Sequence, residues 1–248
     1  MNALRLAISW LTIAPVPGPA VVDRPVAGRA IALAPIVGAG LGALAAGALW
    51  ALLQLQAPPL LAGILVVALL ALATRGMHLD GLADTVDGLG CYGGPTRALA
   101  VMRDGGTGPF AVVALVLVVG LQAVGLAQLG ASGRWLAVVL AVTAGRVAVG
   151  WACRRGIGAA RPEGLGALVA GSQPALLPAV WGLVLLAGAA VAVDGRWWQG
   201  PVAVLVAAAV TAALSWHTAR RFGGVTGDVL GACSELAVTG AVVVLALG

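Results

Sequence analysis

The sequence predicts an all-α, polytopic integral membrane protein: one helical bundle over residues 1–248, with about seven transmembrane helices and a cytoplasmic N-terminus. Three observations predict it. Of 248 residues, 61% are hydrophobic and 9% charged, whereas a soluble domain averages about 25% charged. Several apolar runs approach the ~20 residues that a bilayer crossing needs, without the short alternating pattern of a membrane β-barrel. The basic residues, all arginine, fall mainly on one side of an alternating map of those runs.

Seven apolar segments follow in order, at 31–55, 59–74, 109–130, 135–153, 174–193, 201–218 and 229–247. The second is short. The seventh carries Glu235 and is expected to begin as a re-entrant or broken piece. Residues 1–13 are weakly amphipathic, run into Pro15, Pro17 and Pro19, and do not read as a cleaved signal. With the N-terminus inside, Arg5, Arg24, Arg29, Arg75, Arg97, Arg103, Arg154, Arg155, Arg161, Arg220 and Arg221 lie in the cytoplasm. Only Arg134 and Arg196 lie outside, and Arg146 falls within the fourth segment. Eleven against two is a strong positive-inside bias, and it would collapse if one span were added or lost. The +5 net charge therefore has a topological use, and no nucleic-acid partner is expected. Cys91, Cys153 and Cys233 lack C-x-x-C spacing, which argues against a disulfide framework or a zinc site. Gly38, Gly42 and Gly47 read as helix-packing positions.

Four of the nine acids, Asp80, Asp84, Asp87 and Asp104, fall within residues 80–104. On a helix Asp80, Asp84 and Asp87 project within about 60° of one another. Three carboxylates on one face repel, which favours protonation or a hard divalent cation such as Mg²⁺. The bland alternative is a solvated acidic loop. Beyond lies Arg103-Asp104-Gly105-Gly106-Thr107-Gly108, a glycine-rich stretch before a span. There backbone N–H groups, with Gly105 among them, could face a phosphate, Asp104 could add to a metal shell and Arg103 could clamp a phosphate oxygen. A third loop, 223–231, holds Thr226 and Asp228. Glu235 enters the hydrocarbon region, where an ionisable group is a functional candidate. Arg146 is its expected partner, or else holds a diphosphate. His78 lies on the face opposite Asp80, as a structural residue or a phosphate ligand.

The string His78-Leu79-Asp80-Gly81-Leu82-Ala83-Asp84-Thr85-Val86-Asp87-Gly88 resembles the signature of the cobalamin synthases, the adenosylcobinamide-GDP ribazoletransferases. Met102-Arg103-Asp104 followed by Gly108 and Phe110 is similar, as is Gly-Gly-Val-Thr-Gly-Asp-Val-Leu-Gly-Ala at 223–232 with Glu235 after it. Leu11-Thr12-Ile13-Ala14-Pro15-Val16-Pro17 and Pro35-Ile36-Val37-Gly38 add to the likeness. The resemblance implies an enzyme of the bacterial cytoplasmic (inner) membrane. It would join α-ribazole or its 5′-phosphate to adenosylcobinamide-GDP, with Mg²⁺ as cofactor and release of GMP. Mg²⁺ would be held by Asp80, Asp84, Asp87 and Asp104, on the cytoplasmic side. Arg103 and Arg146 would add positive charge, and Asp87 or Asp228 would accept the ribazole proton. His78, Gly105, Thr226 and Glu235 complete the expected substrate-binding set. The expected partners are these substrates, the lipid bilayer and, as an option, further copies of the chain. Two rival readings are a CDP-alcohol-phosphotransferase-like enzyme and, from another class, a divalent-cation transporter. The first expects Ala-Arg after the Asp-Gly, where this chain has Ala83-Asp84. The second expects polar groups running through the bilayer.

Overall fold

The computed structural model describes residues 2–247, and every regular element among them is helical. The chain runs α1 (Asn2–Leu11), α2 (Arg24–Ala32), α3 (Ala34–Gln54), α4 (Pro59–Ala73), α5 (Met77–Gly90) and α6 (Pro95–Val101). It continues as α7 (Pro109–Ala131), α8 (Trp135–Ala152), α9 (Leu165–Val169), α10 (Leu176–Ala189), α11 (Gln199–Phe222) and α12 (Gly227–Ala246). Each of the seven apolar segments appears as a helix: α3, α4, α7, α8, α10, α11 and α12. Five of them (α3, α7, α8, α11, α12) are long and apolar enough to cross a membrane. α4 reaches that length only together with the bent α5, and α10 is shorter.

Local chemistry starts and stops these helices. Proline occupies the first turn of α2, α3, α4, α6 and α7, where its missing N–H costs no intrahelical bond. Asp23 caps α2 through Val26 N–H (2.8 Å), and Thr226 caps α12 through Val229 N–H (3.2 Å). Both satisfy donors that a helix start leaves unpaired.

α8 and α12 form the centre of the bundle, each with about two-thirds of its apolar window buried, while α3, α7 and α11 are mostly outward-facing. Leucine and valine at the outer positions, such as Leu44, Val116 and Leu205, stay exposed, as lipid-facing side chains do. Small residues set the closest approaches. A Cβ on Gly42 would lie 2.8 Å from the backbone of Val139, and one on Gly38 would lie 3.1 Å from Arg146 Cβ. Gly47 has nothing within 4 Å, so of the three expected packing glycines two serve that purpose.

The chain breaks at a different place from the one expected. α12 is continuous past Glu235, because Gln122 Nε2 donates to Glu235 Oε2 at 2.8 Å and satisfies the acid inside the bundle. The break lies instead after α4, where α5 turns away by 90°. Arg75 (φ 56°) and Gly76 (φ 66°) are both left-handed there, a conformation that ends a helix. The Arg75 side chain donates to the carbonyls of Ser9 (2.9 Å) and Trp10 (3.2 Å), which ties α1 to the bend. With 14 residues and three aspartates, α5 is too short and too polar to span by itself.

The helix directions gather two chemically different ends. The starts of α3, α7 and α12 and the ends of α4, α8 and α11 share the end that holds most of the arginines and α5. At the other end Arg134 Nη1 donates to Leu245 O (2.7 Å), joining the start of α8 to the end of α12.

Candidate active site

α5 is positioned by close approach to α12. A Cβ on Gly81 would lie 2.7 Å from Asp228 O and 2.9 Å from its Cα. Only glycine lets the two backbones meet this closely. The contact falls between Asp80 and Asp84 on α5, so Asp228 is brought to the face that carries those two acids. The helical spacing read in the sequence is realised. Asp80 is exposed, Asp84 is half-buried, and His78 points the other way and is 4% exposed.

Asp228 is held in place from both sides. Thr226 Oγ1 donates to its Oδ2 at 3.1 Å. Arg161 Nη1 makes an ion pair with the same oxygen at 3.4 Å, the one ion pair among the described residues. Arg161 reaches this point because the segment before it is pinned to the Val225 loop. Ala160 N–H donates to Val225 O (3.0 Å), and Val225 N–H donates to Gly158 O (2.9 Å). A side chain on Gly224 would run into the backbone of Gly158, Ala159 and Ala160 at 2.5 Å. The glycine-rich motif thus accommodates the arm, caps α12 and presents Asp228.

Electrostatically this is a site short of positive charge. Asp84 is pushed up from 3.8 to about 6, first by burial and then by the carboxylates of Asp228 and Asp80, with Arg161 opposing and Asp87 adding a little. A raised carboxyl pKa beside like charges marks a place that favours a proton or a cation.

Asp87 stands apart from this group. Its Oδ2 accepts from Gly108 N–H (2.6 Å) and its Oδ1 from Ala111 N–H (3.1 Å). Both oxygens therefore cap α7, and the helix start expected to face a phosphate already has an internal anion. A Cβ on Gly108 would lie 2.6 Å from Asp87 Oδ1, which accounts for glycine there. Asp104 and Arg103 are exposed and line an open cleft of about 470 Å³ with Thr96, Leu99, Ala100, Ala160, Arg161 and Pro162. Gly105 is exposed in the same loop with φ 68°. Among the described residues, no three His, Cys, Asp or Glu side chains converge into a metal-holding group. The expected quartet of Asp80, Asp84, Asp87 and Asp104 is thus divided by the capping role of Asp87 and the loop position of Asp104.

Three other candidates lie inside the bundle. Arg146 is 4% exposed. Its Nη1 donates to Ser234 Oγ (3.2 Å) and its Nη2 lies 3.5 Å from His78 Nδ1. It makes no ion pair with Glu235, whose partner is Gln122. The expected Arg146–Glu235 pair is therefore replaced by neutral contacts around a small cavity of about 20 Å³. Arg146 approaches α5 through His78 and makes no ion pair with the aspartates. Thr226, 3% exposed, acts through Asp228. Arg161 is the residue that sequence reasoning passed over as a topology charge. No spacing signal marks it, because only the 158–160 to 225 pairing brings it to Asp228.

The chain is similar over nearly its whole length to known proteins. An adenosylcobinamide-GDP ribazoletransferase of Nocardioides sp. is 43% identical over 237 residues, covering 96% of this chain and 95% of its own. Those of Frankia casuarinae (40% over 264 residues; 100% and 95%) and Stutzerimonas stutzeri (38% over 256 residues; 100% and 98%) are similar throughout. No solved structure matches the chain. Residues 3–246 match the family described as cobalamin-5-phosphate synthase, and the chain belongs to that family.

Proposed function

We propose that this chain joins α-ribazole, or its 5′-phosphate, to adenosylcobinamide-GDP and releases GMP, as the names of its relatives state for them. The observation that carries the reading is the close crossing of α5 and α12 at Gly81 and Asp228, which puts the Asp228 carboxylate within the electrostatic field of Asp80 and Asp84 and joins the two motifs most specific to the family. In this reaction the ribazole hydroxyl oxygen bonds to the phosphorus nearer cobinamide, and the bond from that phosphorus to GMP breaks.

The donor set suits Mg²⁺. Asp80 and Asp84 stand one turn apart, with too little positive charge around them. Mg²⁺ commonly takes one or two carboxylates and fills its remaining positions with water and substrate phosphate. On this reading Asp80 and Asp84 hold the ion, and Asp87 keeps α7 in register. When bound, the ion supplies positive charge to the phosphoryl oxygens and to departing GMP. Asp228 has an Oδ1 free of the Thr226 and Arg161 contacts, which both use Oδ2. It is the better of the two expected proton acceptors, since both oxygens of Asp87 are engaged. Arg103, exposed at the neighbouring cleft, adds positive charge to the diphosphate. Arg146 acts from behind α5 by holding the acid helix.

The arginine-rich end is proposed to face the cytoplasm of a bacterial inner membrane, following the positive-inside bias. The site would then open towards nucleotides and Mg²⁺. Membranes containing the protein, given adenosylcobinamide-GDP, α-ribazole and Mg²⁺, should release GMP and form the joined corrinoid. Asp84→Asn should abolish turnover with the protein still in the membrane. Near-normal GMP release by that variant would overturn the assignment.

A further inference from the structure

Arg161 stands between two environments. On one side is Asp228, paired at 3.4 Å. On the other is the open cleft that Arg161 lines with Arg103 and Asp104, about 470 Å³ in volume, within the range of roughly 300–1,000 Å³ typical of ligand sites. Its Nη2 donates to Leu99 O at 3.0 Å, while Nε is buried with no hydrogen-bond partner. The guanidinium therefore has an unused donor, and its longest contact is the charged one. Its positive charge also opposes the like-charge crowding at Asp84. This arginine is a positive charge set among the acids, paired with one and acting on another.

We propose that Arg161 holds two positions: paired with Asp228 while the cleft is free, and turned onto the diphosphate of the nucleotide-linked substrate when that substrate enters the cleft beside Arg103. The inference rests on the function proposed above and assigns the nucleoside diphosphate end of the substrate to this cleft. Guanidinium and phosphate match as a charged, two-point hydrogen-bonded pair, which a single 3.4 Å contact to one carboxylate oxygen does not equal. The move has a consequence for the chemistry. It releases Asp228 Oδ2 from its counter-charge only when a diphosphate is present, so the carboxylate becomes a better proton acceptor at that moment.

A purely structural arginine and a shared one differ in sign. The full-length protein in lipid nanodiscs is titrated with Mn²⁺, read by the signal of the free ion, and separately with GDP. The forms compared are wild type, Arg161→Ala and Arg161→Gln, the last of which keeps a donor for Leu99 O. Both variants should bind Mn²⁺ about two- to five-fold more tightly, the worth of a lost, partly exposed ion pair in competition with the metal. Both should bind GDP about ten-fold more weakly and raise the half-saturating adenosylcobinamide-GDP by a similar factor, the worth of a charged hydrogen bond. Arg161→Lys should recover part of the nucleotide affinity. Unchanged or weaker Mn²⁺ binding in Arg161→Gln, or unchanged GDP binding, overturns the proposal. If wild type binds Mn²⁺ and releases GMP but the opposed shifts are missing, this inference alone falls. If wild type does neither, the functional reading falls with it.

Discussion

Asp80, Asp84 and Asp87 share one helix face, yet each meets different surroundings. Asp80 is exposed, Asp84 is half-buried and feels the carboxylate of Asp228, and Asp87 is taken up by the start of α7. Two predictions separate them. Asp84 carries its proton more tightly in the folded chain (about 6) than at its ordinary value of 3.8. Ionising it therefore works against folding. The metal-free protein should lose stability as pH rises from about 4 through about 6, and Asp84→Asn should remove that loss and raise the melting temperature at pH 7.5. Thermal unfolding in a chelator, scanned against pH, reads this directly; a variant that melts lower than wild type at pH 7.5 contradicts it. Asp87→Ala should do the opposite. It leaves two N–H groups at the start of α7 without their acceptor and should cost about 0.5–2 kcal/mol, seen as a lower midpoint whether or not divalent cation is present.

Between elements, the crossing of α5 over α12 decides whether the acids meet at all. Gly81 sits 2.7 Å, as a virtual Cβ, from the backbone oxygen of Asp228, and backbone cannot yield as a flexible side chain can. Gly81→Val should therefore push α5 off α12, at about 1–3 kcal/mol for overpacking, and should remove activity in whatever fraction stays folded. Gly47, with open space around it in the middle of α3, supplies the contrast. Gly47→Ala should leave turnover intact and be neutral or stabilising by about 0.5–1 kcal/mol. Comparing melting midpoints and GMP release for the pair distinguishes a crossing contact from general intolerance of added volume. The bend before α5 belongs to the same scale. α4 ends at Ala73, and the left-handed Arg75 and Gly76 let the next helix leave at 90°.

For the whole molecule, the two ends of the bundle differ in charge, and the acid site lies at the arginine-rich one. In a Cys91→Ser background, a cysteine at Thr107 should react with a membrane-impermeant maleimide only after the cells are opened. A cysteine at Ser132, on the opposite end, should react in intact cells. Both positions are exposed, so reversal of this pattern would invert the orientation without touching the fold.

The class of fold and the position of the acid motif were legible along the chain. Hydrophobic segments of bilayer length, arginine placement and the i, i+4, i+7 spacing are local properties, and seven apolar helices with Asp80 and Asp84 on one face follow from them. Membership of the family was likewise readable from contiguous motifs. The location of the broken helix was not. Glu235 looked costly in an apolar run because its partner Gln122 lies 113 positions away. The capping of α7 by Asp87, the separation of Arg146 from Glu235 and the arrival of Arg161 at Asp228 were equally hidden. Each depends on which groups, distant along the chain, the fold brings together or keeps apart, and that is set by how closely small residues let backbones approach. Periodicity says which face a residue occupies, whereas packing in three dimensions says what stands opposite.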